Sequence, residues 1–186
     1  MSDKLLLNSL KNDDRNAMDS LFNTYWEFVF DAAFRKLGDE DVASDITQEL
    51  FISIWENRAT LKVDTSLHAY LYGAVKFRVI NHFRTQTMRD GHQAELSYLM
   101  EQQYVDPTDA KLMVNDLEDA VEEALSRLPE RMRLVVRMSR LQDRSVKEIA
   151  EELGVSIQTV KNQITAGMKI LKKELSYTVL LAFLLS

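Results

Sequence analysis

The sequence predicts an all-α protein with two small helical domains joined by an acidic linker, the second containing a helix-turn-helix. Three observations predict this fold. Apolar residues recur at helical spacing, charge alternates in blocks, and the 186 residues include only five Gly and two Pro. We place the first domain at residues 1–88, the linker at 89–111 and the second domain at 112–186.

The first domain is predicted to contain three helices. Residues 17–37 form a strongly apolar helix that Gly38 ends. Residues 39–41 supply a cap and acids for a second helix over 42–57, and Ser66 begins a third. The residues predicted to face inward from the second and third helices are Ala43, Ile46, Leu50, Ile54, Leu67, Leu71, Ala74, Val75 and Ile80.

The linker is predicted where periodicity fades, and its Asp106-Pro107 pair acts as a helix breaker. A helix restarts near Leu117, and Pro129 opens the next as a first-turn proline. That next helix is expected to keep Met132, Val135 and Val136 inside and Arg131, Arg133, Arg137 and Arg140 outside.

Residues 145–175 predict two helices joined by a tight turn. Gly154 suits the left-handed end of the first helix, and Ser156 can cap the second. The predicted buried stripes are Val146, Ile149, Ala150 and Leu153, then Ile157, Val160, Ile164, Met168 and Leu171. An ordinary helical hairpin with a solvated polar face is the alternative.

The exposed face of the second of these helices has the chemistry of a duplex-reading helix. Amides and hydroxyls hydrogen-bond base edges, and cations contact phosphates. The candidate duplex-binding residues are Arg144, Ser156, Gln158, Thr159, Lys161, Asn162, Thr165 and Lys169.

Charge is unevenly distributed along the chain. The total is −6, but residues 1–61 carry −6, 62–89 carry +4, 90–126 carry −9 and 127–186 carry +5. The local field governs phosphate contact more than the total does, so both basic blocks are candidates for nucleic-acid binding. The acidic block either imitates a nucleic-acid strand or is a solvated tether.

Cations and aromatic residues are interleaved in the first basic block. Aromatic rings stack on unpaired bases while cations follow the backbone, as single-strand binding requires. Tyr70 and at least one of Phe77 and Phe83 are expected in the core instead. The candidate single-strand-binding residues are Tyr72, Lys76, Phe77, Arg78, Asn81, His82 and Arg84.

An acidic row is predicted on the second helix. Asp41, Asp45 and Gln48 recur at i, i+4 and i+7 beside Trp55, and Glu49 adjoins them. A polar row next to a Trp suits docking on a partner protein. The alternative is a solvated face with Trp55 in the core.

Three stretches, in this order, resemble extracytoplasmic-function (ECF) sigma factors of bacterial RNA polymerase. DVASDITQELFISIWENR is similar to the family's D-x-x-Q-x-x-F-x-x-x-W helix, which docks on the polymerase clamp. LHAYLYGAVKFRVINHFRTQ resembles the element that melts and reads the promoter −10 element, although Tyr70, Phe77 and Asn81 replace the family's Trp, Asn and Asp. LPERMRLVVRMSRLQDRSVKEIAEELGVSIQTVKNQITAGMKILKKEL resembles the domain that reads the −35 element.

The resemblance implies a cytoplasmic sigma factor that directs core polymerase to promoters and initiates transcription. The implied partners are the clamp of the β′ subunit, the β flap, promoter DNA and an anti-sigma factor. No cofactor, metal or small-molecule substrate is expected. A LuxR-type regulator, which shares the third motif, is the alternative. It would need a receiver or ligand-sensing domain in front, where this sequence predicts helices rather than alternating strands and helices.

Other classes are disfavoured by what the sequence lacks. With no Cys there is neither a disulfide nor a thiolate metal site. His68, His82 and His92 have no metal-ligand spacing, and no phosphate loop or nucleophile motif occurs, so no enzyme is predicted. No apolar run approaches the ~20 residues of a membrane span.

A pure protein-interaction module, in which the helix-turn-helix does not bind DNA, is a third interpretation of the sequence. The apolar residues between 179 and 185 are expected to pack on their own domain or to be covered by a partner.

Overall fold

Helices account for all the regular structure that the described residues contain. The computed structural model describes residues 3–89, 107–176, 179, 180 and 183, with the backbone alone for 87–89 and 107–115. The helices are α1 (Asp3–Lys11), α2 (Arg15–Leu37), α3 (Glu40–Glu56), α4 (Leu67–Arg89), α5 (Pro107–Ser126), α6 (Glu130–Arg140), α7 (Val146–Leu153) and α8 (Ile157–Glu174). The all-α prediction is confirmed.

The chain divides into two compact units, Met1–Val79 and Ile80–Ser186, with the division inside α4. In the first unit α2 packs on both α1 and α3. In the second, α8 packs on α5, α6 and α7. α2 is therefore the central helix of the first unit, and α8 is the central helix of the second.

Local sequence signals fix the junction between α2 and α3. Gly38 adopts a left-handed conformation with φ of 67°, and its N–H donates to the Phe34 carbonyl. The Asp39 carboxylate then accepts from the N–H groups of Asp41 and Val42, capping α3. Both predicted signals are confirmed, and they reverse the chain so that α3 packs along α2.

The apolar stripes of α3 and α4 mostly follow the predicted spacing. Every inward residue predicted for α3 is buried, together with Thr47 and Phe51. In α4 the buried stripe is Leu67, Leu71, Val75, Val79 and Phe83, whereas Ala74 and Ile80 are only half-buried. A strict four-residue repeat on α4 therefore replaces the mixed one that was predicted.

A side-chain hydrogen bond joins α2 to α1 in the first unit. The Tyr25 hydroxyl donates to Asp3 Oδ1 at 3.2 Å. Burial, and next the negative charge of Asp3, raise the pKa of Tyr25, since both disfavour the phenolate. α1 is thereby held against α2 by a polar contact as well as by Leu6 and Leu10.

Two prolines lie at helix starts. Pro107 is the first residue of α5 rather than a breaker inside a linker, because proline lacks only an N–H that a first turn leaves unbonded. The predicted linker is therefore helical from 107 onward, and its residues 90–106 lie outside the described part of the chain. Pro129 is the N-cap of α6, one position before the predicted place.

Arg140 was expected outside, and that prediction is wrong. The residue is 9% exposed at the end of α6. Its guanidinium donates to the Phe183 carbonyl and lies 4.8 Å from the Phe183 ring centroid. Leu180 and Phe183 are themselves buried. At these two positions the apolar C-terminal segment packs on its own domain, which sequence periodicity within α6 could not predict.

In the second unit α8 approaches α6 closely at Gly167. A Cβ atom at this position would lie 2.6 Å from Val136 Cγ2 and 3.3 Å from Met132 Cγ, both on α6. Only glycine allows α8 to lie this close to α6, because Val136 is buried and its branched side chain has little freedom to move.

A pair of glycine substitutions tests this contact. Gly167→Ala is expected to lower the free energy of unfolding by about 1–3 kcal/mol through overpacking. Gly73→Ala is the matched control, since Gly73 is an exposed helical position with open space around its missing Cβ. It should raise the free energy by about 1 kcal/mol through helix propensity. Urea denaturation measures both, and equal effects in the two variants would contradict the close approach.

Candidate functional site

The helix-turn-helix is built from consecutive backbone caps. Ser145 and Glu148 form a capping box at the start of α7, a signal visible in the sequence as S-x-x-E. Gly154, with φ of 62°, ends α7, and Ser156 Oγ accepts the Thr159 N–H at 3.0 Å. The predicted turn glycine and cap are both confirmed. The direction of α8 after the turn is therefore set by hydrogen bonds rather than by a flexible loop.

One face of α8 presents polar side chains to solvent. Gln158, Asn162, Thr165 and Lys169 are exposed, and their spacing of i, i+4, i+7 and i+11 places them on one side of the helix. Gln158 Nε2 donates to Asn162 Oδ1 at 3.0 Å. The other amide atoms of this pair still offer donors and acceptors. We call these four residues the polar row of α8.

The other predicted duplex-binding residues lie at the start of α8 and before α7. Thr159 and Lys161 are half-buried, Ser156 is exposed, and the Ser156 hydroxyl is 2.8 Å from Thr159 Oγ1. Arg144 lies before α7, where its Nη2 is 3.6 Å from Glu152 Oε2. The structure thus places the polar row on one surface and gives Ser156 a capping role.

The prediction that Ile157 is buried is wrong. This residue is 47% exposed as the first residue of α8, whereas Val160, Ile164, Met168 and Leu171 are buried as predicted. The buried stripe of α8 therefore begins at Val160, three residues into the helix.

None of the predicted single-strand-binding residues on α4 is buried. In the first unit Phe77 is 62% exposed, while Tyr72, Lys76 and Arg78 are half-buried. The Lys36 ammonium lies 5.8 Å from the centroid of the Tyr72 ring, so this ring already contacts a cation.

The remaining members of that set follow in the second unit. Asn81 and His82 are half-buried and Arg84 is exposed. Phe83 is 3% exposed, as expected for one of the two phenylalanines, and Tyr70 is half-buried rather than fully inside. Phe77 is the aromatic side chain of this stretch that is open enough to stack on a base.

The acidic row on α3 is exposed as predicted. Asp41, Asp45, Gln48 and Glu49 all face solvent, and Gln48 Nε2 donates to Ser44 Oγ at 3.1 Å. We call these four residues the docking row.

Trp55 is half-buried and lies under a cation. The Arg58 guanidinium is 4.2 Å from the indole centroid, and Arg58 Nη1 donates to the Trp55 carbonyl at 2.6 Å. Arg58 also pairs with Asp13 in the turn before α2. Trp55 is therefore neither a core residue nor freely mobile.

A cleft between α2 and α3 adjoins the docking row and was not predicted from the sequence. Its volume is about 780 Å³, and its apolar lining comprises Met18, Phe22, Trp26, Phe51, Ile52 and Trp55. The centroid of the Phe22 ring lies 4.7 Å from that of the Trp26 ring and 5.1 Å from that of the Phe51 ring. We call this feature the aromatic cleft. The signal that could have found it is the pair of F-x-x-x-W spacings, one in each helix.

Neither a metal cluster nor a membrane span occurs in the part of the chain that the structure describes. No group of His, Asp or Glu there could hold a metal ion. None of the helices over the described ranges is long and apolar enough to cross a membrane.

Comparison with known families gives two matches. The model of sigma-70 region 2 matches residues 21–89, and the model of sigma-70 region 4 matches residues 118–171. Together they cover most of the chain, and they include the docking row, α4 and the helix-turn-helix.

Curated relatives match over nearly their full length. The ECF RNA polymerase sigma factor SigW of Bacillus subtilis is 26% identical over 92% of this chain and 96% of its own. The RNA polymerase sigma factor YlaC of the same organism is 22% identical over 87% of this chain and 94% of its own. The ECF RNA polymerase sigma-E factor of Haemophilus influenzae is 20% identical over 94% of this chain and 96% of its own. A chain from a solved RsbN–BldN complex is 18% identical to this chain, with a TM-score of 0.38 over 91% of this chain and 99% of its own.

Two helical units, matched in order by regions 2 and 4, define a bacterial RNA polymerase sigma factor. The chain belongs to the sigma-70 family, and its relatives place it among the ECF sigma factors. It therefore directs core RNA polymerase to promoters and initiates transcription. The LuxR-type alternative is wrong, because region 2 occupies the place where such a regulator would need a receiver.

The capping role of Ser156 can be separated from contact with DNA. Ser156→Ala should lower the free energy of unfolding by about 1 kcal/mol, since it removes the acceptor for the Thr159 N–H. Ser156→Asp restores a cap, so its stability should match the parent protein, while its added negative charge should weaken binding to a DNA phosphate backbone. Thermal denaturation and DNA titration measure the two effects. If Ser156→Asp bound DNA as tightly as the parent protein does, the start of α8 would not lie at a DNA interface.

Proposed function

We propose that three surfaces divide the work of this sigma factor. The polar row of α8, with its flanking residues, binds the −35 element as duplex DNA. The accessible face of α4 holds the melted −10 strand, and the docking row with Trp55 binds the clamp of the β′ subunit. The observation that most strongly supports this proposal is the polar row itself. It consists of four exposed polar side chains on one side of a helix whose opposite side is buried.

The chemistry of the polar row supports direct readout of bases. Gln158 and Asn162 carry amides, which suit the donor and acceptor pattern of adenine in the major groove. Lys169 lies two turns beyond Asn162 and is placed to neutralise a phosphate instead. Lys161 adds positive charge beside the row on α8, and Arg144 is an exposed cation just before α7. Base contacts and phosphate contacts are thus assigned to different positions on one helix.

Substitutions at these two positions should have different effects. Asn162→Ala is expected to relax preference at one or two base pairs, at a cost of about 1–3 kcal/mol on the preferred sequence. Lys169→Ala should weaken binding to all sequences alike and reduce the slope of log affinity against log salt by about 1. Titration of a −35 duplex library at several salt concentrations measures both. If both variants kept the parental preference and salt slope, α8 would not be the reading helix.

Single-strand capture by α4 is supported by Phe77 and the cations around it. The Phe77 ring is open to solvent, and Lys76 and Arg78 lie on either side of it in the sequence. An exposed ring can stack on a base that has left the duplex, and neighbouring cations can hold the strand. Asn81, His82 and Arg84 continue this chemistry toward the end of α4. The aromatic at position 77 replaces the family's Asn, so we infer that stacking contributes more to −10 recognition here.

Binding to the polymerase clamp is supported by the docking row. Its side chains leave α3 on the side opposite the buried stripe of Ala43, Ile46 and Leu50, so they are free to meet a partner. We infer that the β flap contacts the second unit and that an anti-sigma factor covers one or both units. The chain acts in the cytoplasm and carries out no chemistry itself, since the polymerase holds the catalytic metal.

A double substitution tests the docking row. Asp45→Ala with Gln48→Ala should leave the melting temperature unchanged, because both side chains are exposed, while affinity for core polymerase should fall at least fivefold, as for a loss of about 1 kcal/mol or more. The matched control is Asn23→Ala with Glu27→Ala, an exposed amide and acid about one turn apart on α2. Core binding is measured by fluorescence anisotropy of labelled protein. Equal affinity in both double variants would refute the assignment.

A further inference from the structure

The aromatic cleft leaves large apolar side chains in contact with solvent. Phe51 forms its floor at 2% exposure, whereas Phe22 and Ile52 at its edge are 38% and 55% exposed. Exposed aromatic and aliphatic side chains around a concave surface are characteristic of protein interaction sites.

The charge around the aromatic cleft specifies the kind of partner. α3 carries five acids and no base. Asp19 and Glu56 lie at the edge of the cleft, where Arg15 is the accompanying base. Three of the five acids of α3, Asp41, Asp45 and Glu49, belong to the docking row on the neighbouring face. Charge complementarity therefore favours a partner segment that is basic around an apolar side chain.

The cleft is continuous with the docking row. Gln48 belongs to the docking row and lines the cleft, and Trp55 forms a wall beside it. Arg58 covers one face of the Trp55 indole and holds its backbone carbonyl, while Asp13 holds Arg58. The wall is thus positioned before any partner arrives, which reduces the entropy lost on binding.

We propose that the aromatic cleft receives an apolar side chain from a basic segment of core RNA polymerase. The docking row supplies electrostatic attraction to that segment, and the cleft supplies apolar burial. Arg58 is a positioning residue that keeps Trp55 in place as the wall. This inference rests on the proposed docking of α3 on the polymerase.

Substitutions at Ile52 test the cleft, because this side chain is exposed and its replacement leaves the core intact. Ile52→Ser should weaken binding to core polymerase about tenfold, as for loss of an interface anchor. Ile52→Lys should weaken it further than Ile52→Glu, since the partner segment is basic. Leu5→Ser is the matched control, a 59% exposed leucine on α1, and should bind as the parent does.

Two comparisons separate failure of this inference from failure of the docking assignment. If Asp45→Ala with Gln48→Ala lowers affinity and Ile52→Ser does not, the docking row stands and the cleft proposal is overturned. A dimer of this chain in sedimentation velocity that Ile52→Ser abolishes would also overturn it, because the cleft would then hold a second copy. Arg58→Ala should reproduce the loss seen with Ile52→Ser, and Arg58→Lys should recover part of it, since Lys retains the cation over the indole.

Discussion

The close contact between α8 and α6 at Gly167 is the constraint on which the second unit depends. With no side chain at this position, Val160, Ile164, Met168 and Leu171 can be buried against the neighbouring helices. The opposite side of α8 is then left to solvent, and it is there that Gln158, Asn162, Thr165 and Lys169 lie. Since the Ser156 cap fixes where α8 begins, packing and capping together set both the direction and the rotation of the helix.

The first unit uses the same arrangement with a different result. α3 buries one stripe against α2 and exposes acids on the other side. Between these two faces lies a third region, the aromatic cleft, which is apolar but open. A rigid helical support for exposed functional side chains suits binding, because little conformational entropy is lost when the partner arrives.

The features predictable from the sequence are those that act over a few residues. Gly38 and Gly154 end helices in the left-handed conformation, and Asp39 and Ser156 cap the helices that follow, because each needs only its neighbours along the chain. The exposed polar row of α8 and the docking row followed from helical periodicity. The roles of these surfaces in binding remain predictions, since exposure alone does not identify a partner.

The features that the sequence did not predict depend on contacts between distant segments. Arg140 lies on a face that periodicity assigned to solvent, yet Phe183, 43 residues later, covers it. Ile157 fits the apolar repeat of α8, yet it is 47% exposed. The aromatic cleft needs rings from two helices, so neither helix alone reveals it. Helical spacing gives the side of a helix, whereas burial depends on what packs there.

Transcription by core RNA polymerase supplemented with this protein is the most direct test of the central claim, that one chain carries two promoter-reading surfaces. Transcripts made in vitro from a library of bacterial DNA fragments are sequenced from their 5′ ends. The proposed assignment predicts discrete start sites preceded by two short shared sequence elements separated by one narrow range of spacing, because it gives one chain a helix for duplex DNA and a helix for single-stranded DNA. Start sites that match those of core polymerase alone, or that share a single element, would contradict the claim.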